Sequence, residues 1–447
     1  MVSTNISNHF PGKAIFMLHR PIQSAASFAL SIALMVALAG LVRPARAQDF
    51  ALGTSVQGLL DFARSSSPDI AAMRLEAAAA AQRVGPAGAW PDPVLRVELM
   101  NINNYGTDAS PNLLPWKVGE TKYTLMQALP FFGKRGLRSD AAAAEARQAG
   151  SRTDAAWAEL AARIKSGYAE YYRACGNERL TREVLGLMAQ LEQLAQARYA
   201  GGLVPQQDAI RAQIEQTAMR SELIALDSEK RQLAARLNAL LGRAATAPLA
   251  EPQQLRPLPA VTATDAMALA ERARTINPRL QAEQARLAAA RLNRDLTWRN
   301  RYPDVQVGVS PTQMGSRITT WGLMFEVGIP LQQGTRRAQE AEALAMVGAA
   351  QARTEAVANE LAAELDGNLA ALDAARRTEA LVRTQLLPQS QLSLRSAQAA
   401  YENGKLDFVA LLEAQRQIRK ARQDLLKAQT EAQLRLADIE RILGEDL

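Results

Sequence analysis

The 447-residue chain repeats itself once. Ser67-Pro68-Asp69-Ile70 has a counterpart in Asn277-Pro278-Arg279-Leu280, and Pro91-Asp92 in Pro303-Asp304. Leu129-Pro130 corresponds to Ile329-Pro330, Tyr199-x-x-Gly202 to Tyr401-x-x-Gly404, and Leu241-Gly242 to Leu443-Gly444. The order is the same in both halves, and partners lie roughly 200–210 residues apart. Ala-rich helices can produce one such match by chance, but hardly five in sequence. The chain must therefore build one structural unit twice. The first repeat is assigned to residues 48–247 and the second to 264–447, joined by a Pro-rich linker over 248–263 that carries Pro248, Pro252, Pro257 and Pro259.

Each repeat follows the same plan. A medium helix (54–88, then 264–298) leads into two short strands, and a long helix follows (137–200, then 336–400). A tight turn reverses the chain into a second medium helix (206–241, then 408–443). Hydrophobic residues make up 48% of the chain but aromatics only 5%, a mixture dominated by Ala and Leu that favours long helices over compact mixed domains. Leu180, Val184, Leu187, Leu191 and Leu194 alternate spacings of four and three; Leu411, Ile418, Leu425, Ala432 and Ile439 recur every seven, with Leu436 and Leu443 between. Such a pattern packs knobs into holes. Residues 137–204 contain no Pro, so one helix of about 96 Å is permitted, and the two medium helices end to end match its length.

The strand segments, near 93–101, 120–130, 303–311 and 318–330, alternate. Val305, Val307 and Val309 interleave with Gln306, Gly308 and Ser310, and Trp321, Leu323, Phe325, Val327 and Ile329 with polar or small residues. Leu95, Val97 and Leu99 alternate with Arg96 and Glu98, and Tyr123 and Leu125 with Lys122 and Thr124. Any half-buried sheet shows this pattern. In a soluble domain, however, the apolar face needs a covering layer, and two hairpins set between very long helices offer none. A transmembrane barrel uses the alternation directly, with lipid outside and water inside. Four strands cannot close an open barrel, and lipid tolerates no free edge. Three copies would supply twelve strands and twelve helical rods around one axis.

The N-terminus reads as a secretory signal over residues 1–47. Lys13, His19 and Arg20 precede an apolar stretch from Ala25 to Val42, and Ala45-Arg46-Ala47 is a cleavage pattern that places the cut between Ala47 and Gln48. Met17 is an alternative start that gives a more compact leader, and a retained anchor is the rival reading. Loss of the leader removes four basic residues and lowers the net charge from +7 to +3. The remaining Arg and Glu are interspersed, which argues against nucleic-acid binding. Both histidines leave with the leader, so Cys175 is the sole thiol and no His-based triad or His-rich metal site remains. Cys175, beside Tyr171 and Tyr172, reads as a small buried hydrophobe. No GxGxxG or phosphate-binding loop is present, no catalytic constellation stands out, and neither a cofactor nor a resident metal is expected.

At this point the sequence resembles the TolC family of outer-membrane efflux proteins over the whole of residues 48–447. The resemblance rests on the duplicated helix–hairpin–helix plan, on Leu129-Pro130-Phe131-Phe132-Gly133-Lys134-Arg135 at the strand exit with its counterpart from Ile329-Pro330-Leu331 to Arg336, and on the turns at Tyr199 and Tyr401. The strand exit looks most like the branch serving heavy-metal pumps of the resistance-nodulation-division class. The resemblance implies a mainly α fold with four transmembrane strands per chain, in a homotrimer that forms a twelve-stranded barrel in outer-membrane lipid and an α-helical tunnel through the periplasm. It implies a passive, non-enzymatic duct for export, whose tip docks on a periplasmic adaptor (a membrane fusion protein) coupled to an inner-membrane pump of that class. Metal cations, drugs and secreted proteins all pass through ducts of this family, so the substrate stays open, and a type I secretion duct is an alternative.

The docking tip is assigned to Tyr199, Gly202 and Leu203 in the first repeat and to Tyr401, Gly404 and Leu406 in the second. Gly201-Gly202 and Gly404 end a helix, and Pro205 suits the start of the next. The family carries acidic residues just inside the second tip helix. Asp208 falls at such a position; its counterpart is Ala410, with Glu413 one turn later, so Asp208 and Glu413 are the candidate periplasmic gate. A solvated helix face, or pairing with Arg211 or Arg416, is the plainer alternative. Met100, Met126, Met314 and Met324 lie in or beside the strands, where apolar filling explains them better than a relay for soft metals. A periplasmic coiled-coil adaptor or scaffold is the rival of a different class; it predicts β-rich domains beyond a single hairpin, which this sequence lacks.

Overall fold

A computed structural model describes residues 52–102, 113–260 and 265–447. The leader, with Ala47 and Gln48, lies outside the described residues, as does 261–264 of the linker region. Within each repeat the elements follow one order. The first has α1 (Val56–Ser66), α2 (Pro68–Gln82), α3 (Val84–Gly88), β1 (Val94–Met100), β2 (Glu120–Leu129), α4 (Lys134–Ala200) and α5 (Gln206–Leu240). The second has α6 (Ala266–Ile276), α7 (Pro278–Arg299), β3 (Val305–Met314), β4 (Arg317–Val327), α8 (Gln333–Leu381), a π turn (Val382–Leu386), α9 (Leu387–Glu402) and α10 (Phe408–Leu443).

The first medium helix expected in each repeat is broken. Proline closes each break: Pro68 and Pro278 occupy the first turns of α2 and α7, where a missing N–H costs nothing. Asn277 caps α7, its side chain accepting from the Leu280 N–H at 2.7 Å. These breaks are also where helices meet end to end. Gly242 (φ +69°) abuts Pro68, and a Cβ there would fall 2.9 Å from the proline ring; Gly444 (φ +77°) abuts Pro278 in the same way, at 2.7 Å. Thus α5 runs on into α2, and α10 into α7, as quasi-continuous rods. Leu59, Ile164, Tyr168 and Leu241 fill the first junction, and Leu269, Leu280, Ile439 and Leu443 the second.

The two long helices differ. α4 holds 67 residues without interruption, about 100 Å. The second long segment, expected to be continuous over 336–400, is interrupted by the π turn just before Pro388. A proline lacks the N–H of the helical ladder and its ring crowds the preceding turn, and the widened turn absorbs both. α4 is the central rod, packed against α2 and α5 of its own repeat and against α7 and α10 of the other. A buried ion pair fixes this register at mid-height: the Lys165 ammonium, 4% exposed, lies 2.7 Å from the Glu440 carboxylate, 2% exposed, which Arg256 of the linker also clasps through two 3.0 Å bonds.

The strands form one antiparallel sheet in the order β1-β2-β3-β4, so the two repeats join through β2 and β3 and both outer strands end the sheet. Leu95, Leu125, Val309 and Leu323 align across all four strands, Val307 lies opposite Phe325, and Pro311 opposite Trp321. This face is uncovered: Leu323 and Phe325 are 76% and 72% exposed. The opposite face carries Thr124, Gly308, Ser310, Thr312 and Gly322. It is crowded, since a Cβ at Gly322 would fall 2.7 Å from the Ser310 hydroxyl. Met126 and Met324 flank Gly308 there, whereas Met100 and Met314 are exposed at strand ends, so the four methionines do not converge. Among the described residues no helix is long and apolar enough to cross a membrane.

Candidate functional site: two helical turns and an uncovered sheet

The turns between α4 and α5 and between α9 and α10 share one backbone design. In the first, the Leu203 N–H donates to Arg198 O and the Gly202 N–H to Tyr199 O, both at 2.9 Å. In the second, the Lys405 N–H donates to Ala400 O at 2.9 Å and the Gly404 N–H to Tyr401 O at 3.0 Å. This paired pattern satisfies the last helical carbonyls and requires a left-handed residue, supplied by Gly202 and Gly404, both at φ +70°. The next helix starts differently in each: Pro205 occupies the cap of α5, whereas the Asp407 side chain caps α10, accepting from the Ala410 N–H at 2.9 Å.

The side chains on the two turns also diverge. Tyr199 is 47% exposed and Leu203 stands clear of the surface. Tyr401 is 1% exposed, its ring 5.5 Å from that of Phe408, within a core of Leu180, Val184, Met188, Met219 and Leu411. Leu406 is half-buried against that core. Arg198, three residues before Gly201, crosses from the first turn to the second. Its guanidinium stacks on the Tyr401 ring at 4.9 Å and donates to the Tyr401 carbonyl, so a cation of one repeat caps the helix end of the other.

Asp208, in the first turn of α5, is buried beside this pair. Burial pushes its carboxyl above the ordinary carboxylate range; Arg211 pulls it down, the Asp407 carboxylate raises it further and Arg198 opposes. Burial, and then the charge of Asp208, raises the Tyr401 phenol in turn. The Tyr401 hydroxyl is buried without a hydrogen-bond partner among the described residues. Glu413 stands apart: exposed on α10, it lines a shallow cavity of about 400 Å³ with Leu406 and Ala410. Neither carboxylate pairs with an arginine through a salt bridge among the described residues; Arg416 pairs instead with Glu215. Arg198 and Asp407 complete the cluster but carry no signal in the sequence, since one arginine and one aspartate among many look alike until the turns are brought together.

At the other end of α4, sheet and helices are clasped. The Lys134 ammonium, 3% exposed, donates to Tyr302 O at 2.7 Å and to Asp304 at 2.8 Å, and the Phe131 N–H donates to the same carboxylate at 2.8 Å. Burial pushes the Asp304 carboxyl up, but the Lys134 and Phe131 hydrogen bonds outweigh it and hold the group below its ordinary value. This locks the exit of β2 to the approach of β3, joining the repeats where helices become strands. No group of His, Cys, Asp or Glu among the described residues could hold a metal ion.

Comparison with solved structures returns the same fold at low sequence identity. OprN, an outer-membrane channel, is 20% identical with a TM-score of 0.73, covering 87% of this chain and 89% of its own. The outer membrane protein VceC of Vibrio cholerae is 19% identical at a TM-score of 0.73, covering 88% and 96%. CusC, whose transmembrane channel formation has been followed structurally, is 18% identical at 0.74, covering 91% and 95%. No curated protein sequence matches the chain. The sequence profile of the outer membrane efflux proteins matches residues 59–243 and 269–445, one segment in each repeat. The chain therefore belongs to the outer membrane efflux protein family, whose members are channels and not enzymes.

Proposed function

We propose that the chain is the outer-membrane duct of a tripartite efflux system, a homotrimer in which three four-stranded sheets close one twelve-stranded barrel and the helices form a periplasmic tunnel. The observation that carries this reading is the sheet itself. Among the described residues its apolar face is uncovered and β1 and β4 leave both edges unpaired, a state that lipid forbids unless sister chains complete the barrel. The tip turns dock on a periplasmic adaptor coupled to an inner-membrane pump of the resistance-nodulation-division class, through exposed Tyr199 and Leu203 of the first repeat with Gly202, and Leu406 and Gly404 of the second. Asp208 and Glu413 contribute acidic groups to a gate that favours cations. The cargo class is metal cations, a reading supported by the strand-exit sequence.

Fractionation with in-cell crosslinking tests the assembly. A detergent-resistant outer-membrane trimer that conducts ions in planar bilayers is expected, whereas a soluble periplasmic monomer would eliminate the duct. Deletion of the gene tests the cargo: sensitivity to divalent or monovalent soft metals is expected, and loss of a secreted protein instead would favour a type I secretion duct.

A further inference from the structure

The uncovered sheet face does not end with the strands. Leu129 and Val305, neighbours in its last row, continue into a groove of about 670 Å³ walled by Trp90, Phe131, Phe132 and Arg135. Phe132 is 87% exposed, and Trp90 more than half. The Arg135 guanidinium lies over the Trp90 ring at 3.9 Å and donates through Nε and Nη2 to Gly88 O, at 2.9 and 2.8 Å, and its Nη1 has no hydrogen-bond partner among the described residues. Arg299 reaches the same segment, donating through Nη1 to Phe132 O at 3.0 Å. Gly133 (φ +87°) makes room for it, since a Cβ there would fall 2.8 Å from that nitrogen.

The cations of this belt are not all alike. Lys134 and Arg301 are neutralised by Asp304 and Glu340. Arg135 and Arg299 donate to backbone carbonyls, Arg135 also stacks on Trp90, and no carboxylate forms a salt bridge with either among the described residues. Two uncompensated guanidiniums beside an exposed apolar groove, at the end of a lipid-facing sheet, suit a molecule that is anionic at one end and apolar at the other. Interfacial aromatic side chains mark the same depth.

We infer that this groove binds a glycerophospholipid of the periplasmic leaflet, its phosphodiester held by Arg135, which lines the groove, with Arg299 adding positive charge beside Gly133, and the start of an acyl chain along Trp90, Phe132 and Leu129. The inference rests on the duct reading, which sets the helix end of the sheet at the periplasmic surface. A trimer carries one such site per subunit, which fixes the depth and tilt of the barrel independently of the strands.

Native mass spectrometry of the trimer in mild detergent tests this, with dioleoylphosphatidylglycerol, dioleoylglycerol and inorganic phosphate as separate probes. Retention of phosphatidylglycerol, saturating at three per trimer, is expected, without retention of the other two. The Arg135→Gln/Arg299→Gln variant should bind it roughly 30-fold more weakly while still forming trimers. If that variant fails to assemble, the comparison of the lipid with its phosphate-free analogue on the unaltered trimer decides alone. A sound, conducting trimer that treats the two lipids alike overturns this inference and leaves the duct standing. Retention of inorganic phosphate as strongly as of the lipid also overturns it. A chain that forms no membrane trimer overturns the duct reading, and the inference with it.

Discussion

The two helical turns are copies in backbone and opposites in environment. Both end a helix with a left-handed glycine at the same φ and with the same pair of hydrogen bonds. Yet Tyr199 of the first faces outward, while Tyr401 of the second is sealed in a core that Arg198 of the first closes over. Duplication supplied two equivalent turns, and packing one against the other made them unequal: one became the presented surface and the other the anchor. Local sequence conserves the turn, whereas burial assigns its role.

Substitution of the tyrosines should expose that inequality most. Tyr401→Ala empties a site packed on all sides and is expected to cost about 3–5 kcal/mol of local stability, as for other buried aromatics. Tyr199→Ala should leave stability within about 0.5 kcal/mol and instead weaken adaptor crosslinking. Thermal denaturation of the two variants, side by side, checks the first; equal shifts would break the contrast. Arg198→Ala comes next, with an expected loss of about 2 kcal/mol from the helix cap and ring stack together. It should raise the leak conductance of the resting channel, whereas Arg211→Ala should not.

Alanine at the two glycines sharpens the comparison further. Each is expected to cost about 1–2 kcal/mol, because a side chain at positive φ meets its own backbone. Gly404→Ala should cost the more of the two, since its Cβ would lie 3.4 Å from Arg198 Nη2, while Gly202 has open space. Acidity should act through Asp208. The unfolded carboxyl titrates at the ordinary value and the folded one above it, so the folded tip takes up the proton first. The contribution of Asp208 to stability is therefore greatest below the ordinary carboxylate pKa, is lost as pH rises through the raised value, and levels off beyond it. Asp208→Asn should flatten that profile in thermal denaturation measured across acidic pH. The smallest effect belongs to Tyr401→Phe: its hydroxyl is buried and unpaired, so the change should lie within about 0.5 kcal/mol of neutral. A larger loss would reveal a partner for that hydroxyl, such as Asp208.

The long helices, the four strands and the turns were legible because each depends on neighbours in sequence. Heptad spacing places Leu411, Ile418 and Ile439 inward, and all three are buried. The seam of α4 was read less well: Leu187 and Leu191 are only half-buried, and Met188 takes the deep position. A rod that packs on four others has more than one seam, and a single seven-residue register cannot describe it. The π turn before Pro388 was missed for a related reason. Proline signals a defect, but whether the helix breaks, kinks or widens depends on what is packed beside it.

Sequence alone thus determined that two equal units exist, that each alternates helix, hairpin and helix, and that one sheet face is apolar, because side-chain period and turn chemistry are properties of a few consecutive residues. Only the tertiary structure decided that α4 is clasped by both repeats, that Lys165 meets Glu440, and that Arg198 reaches Tyr401. Those pairings join residues more than 200 positions apart, and burial there strengthens each charge interaction by removing the water that would screen it.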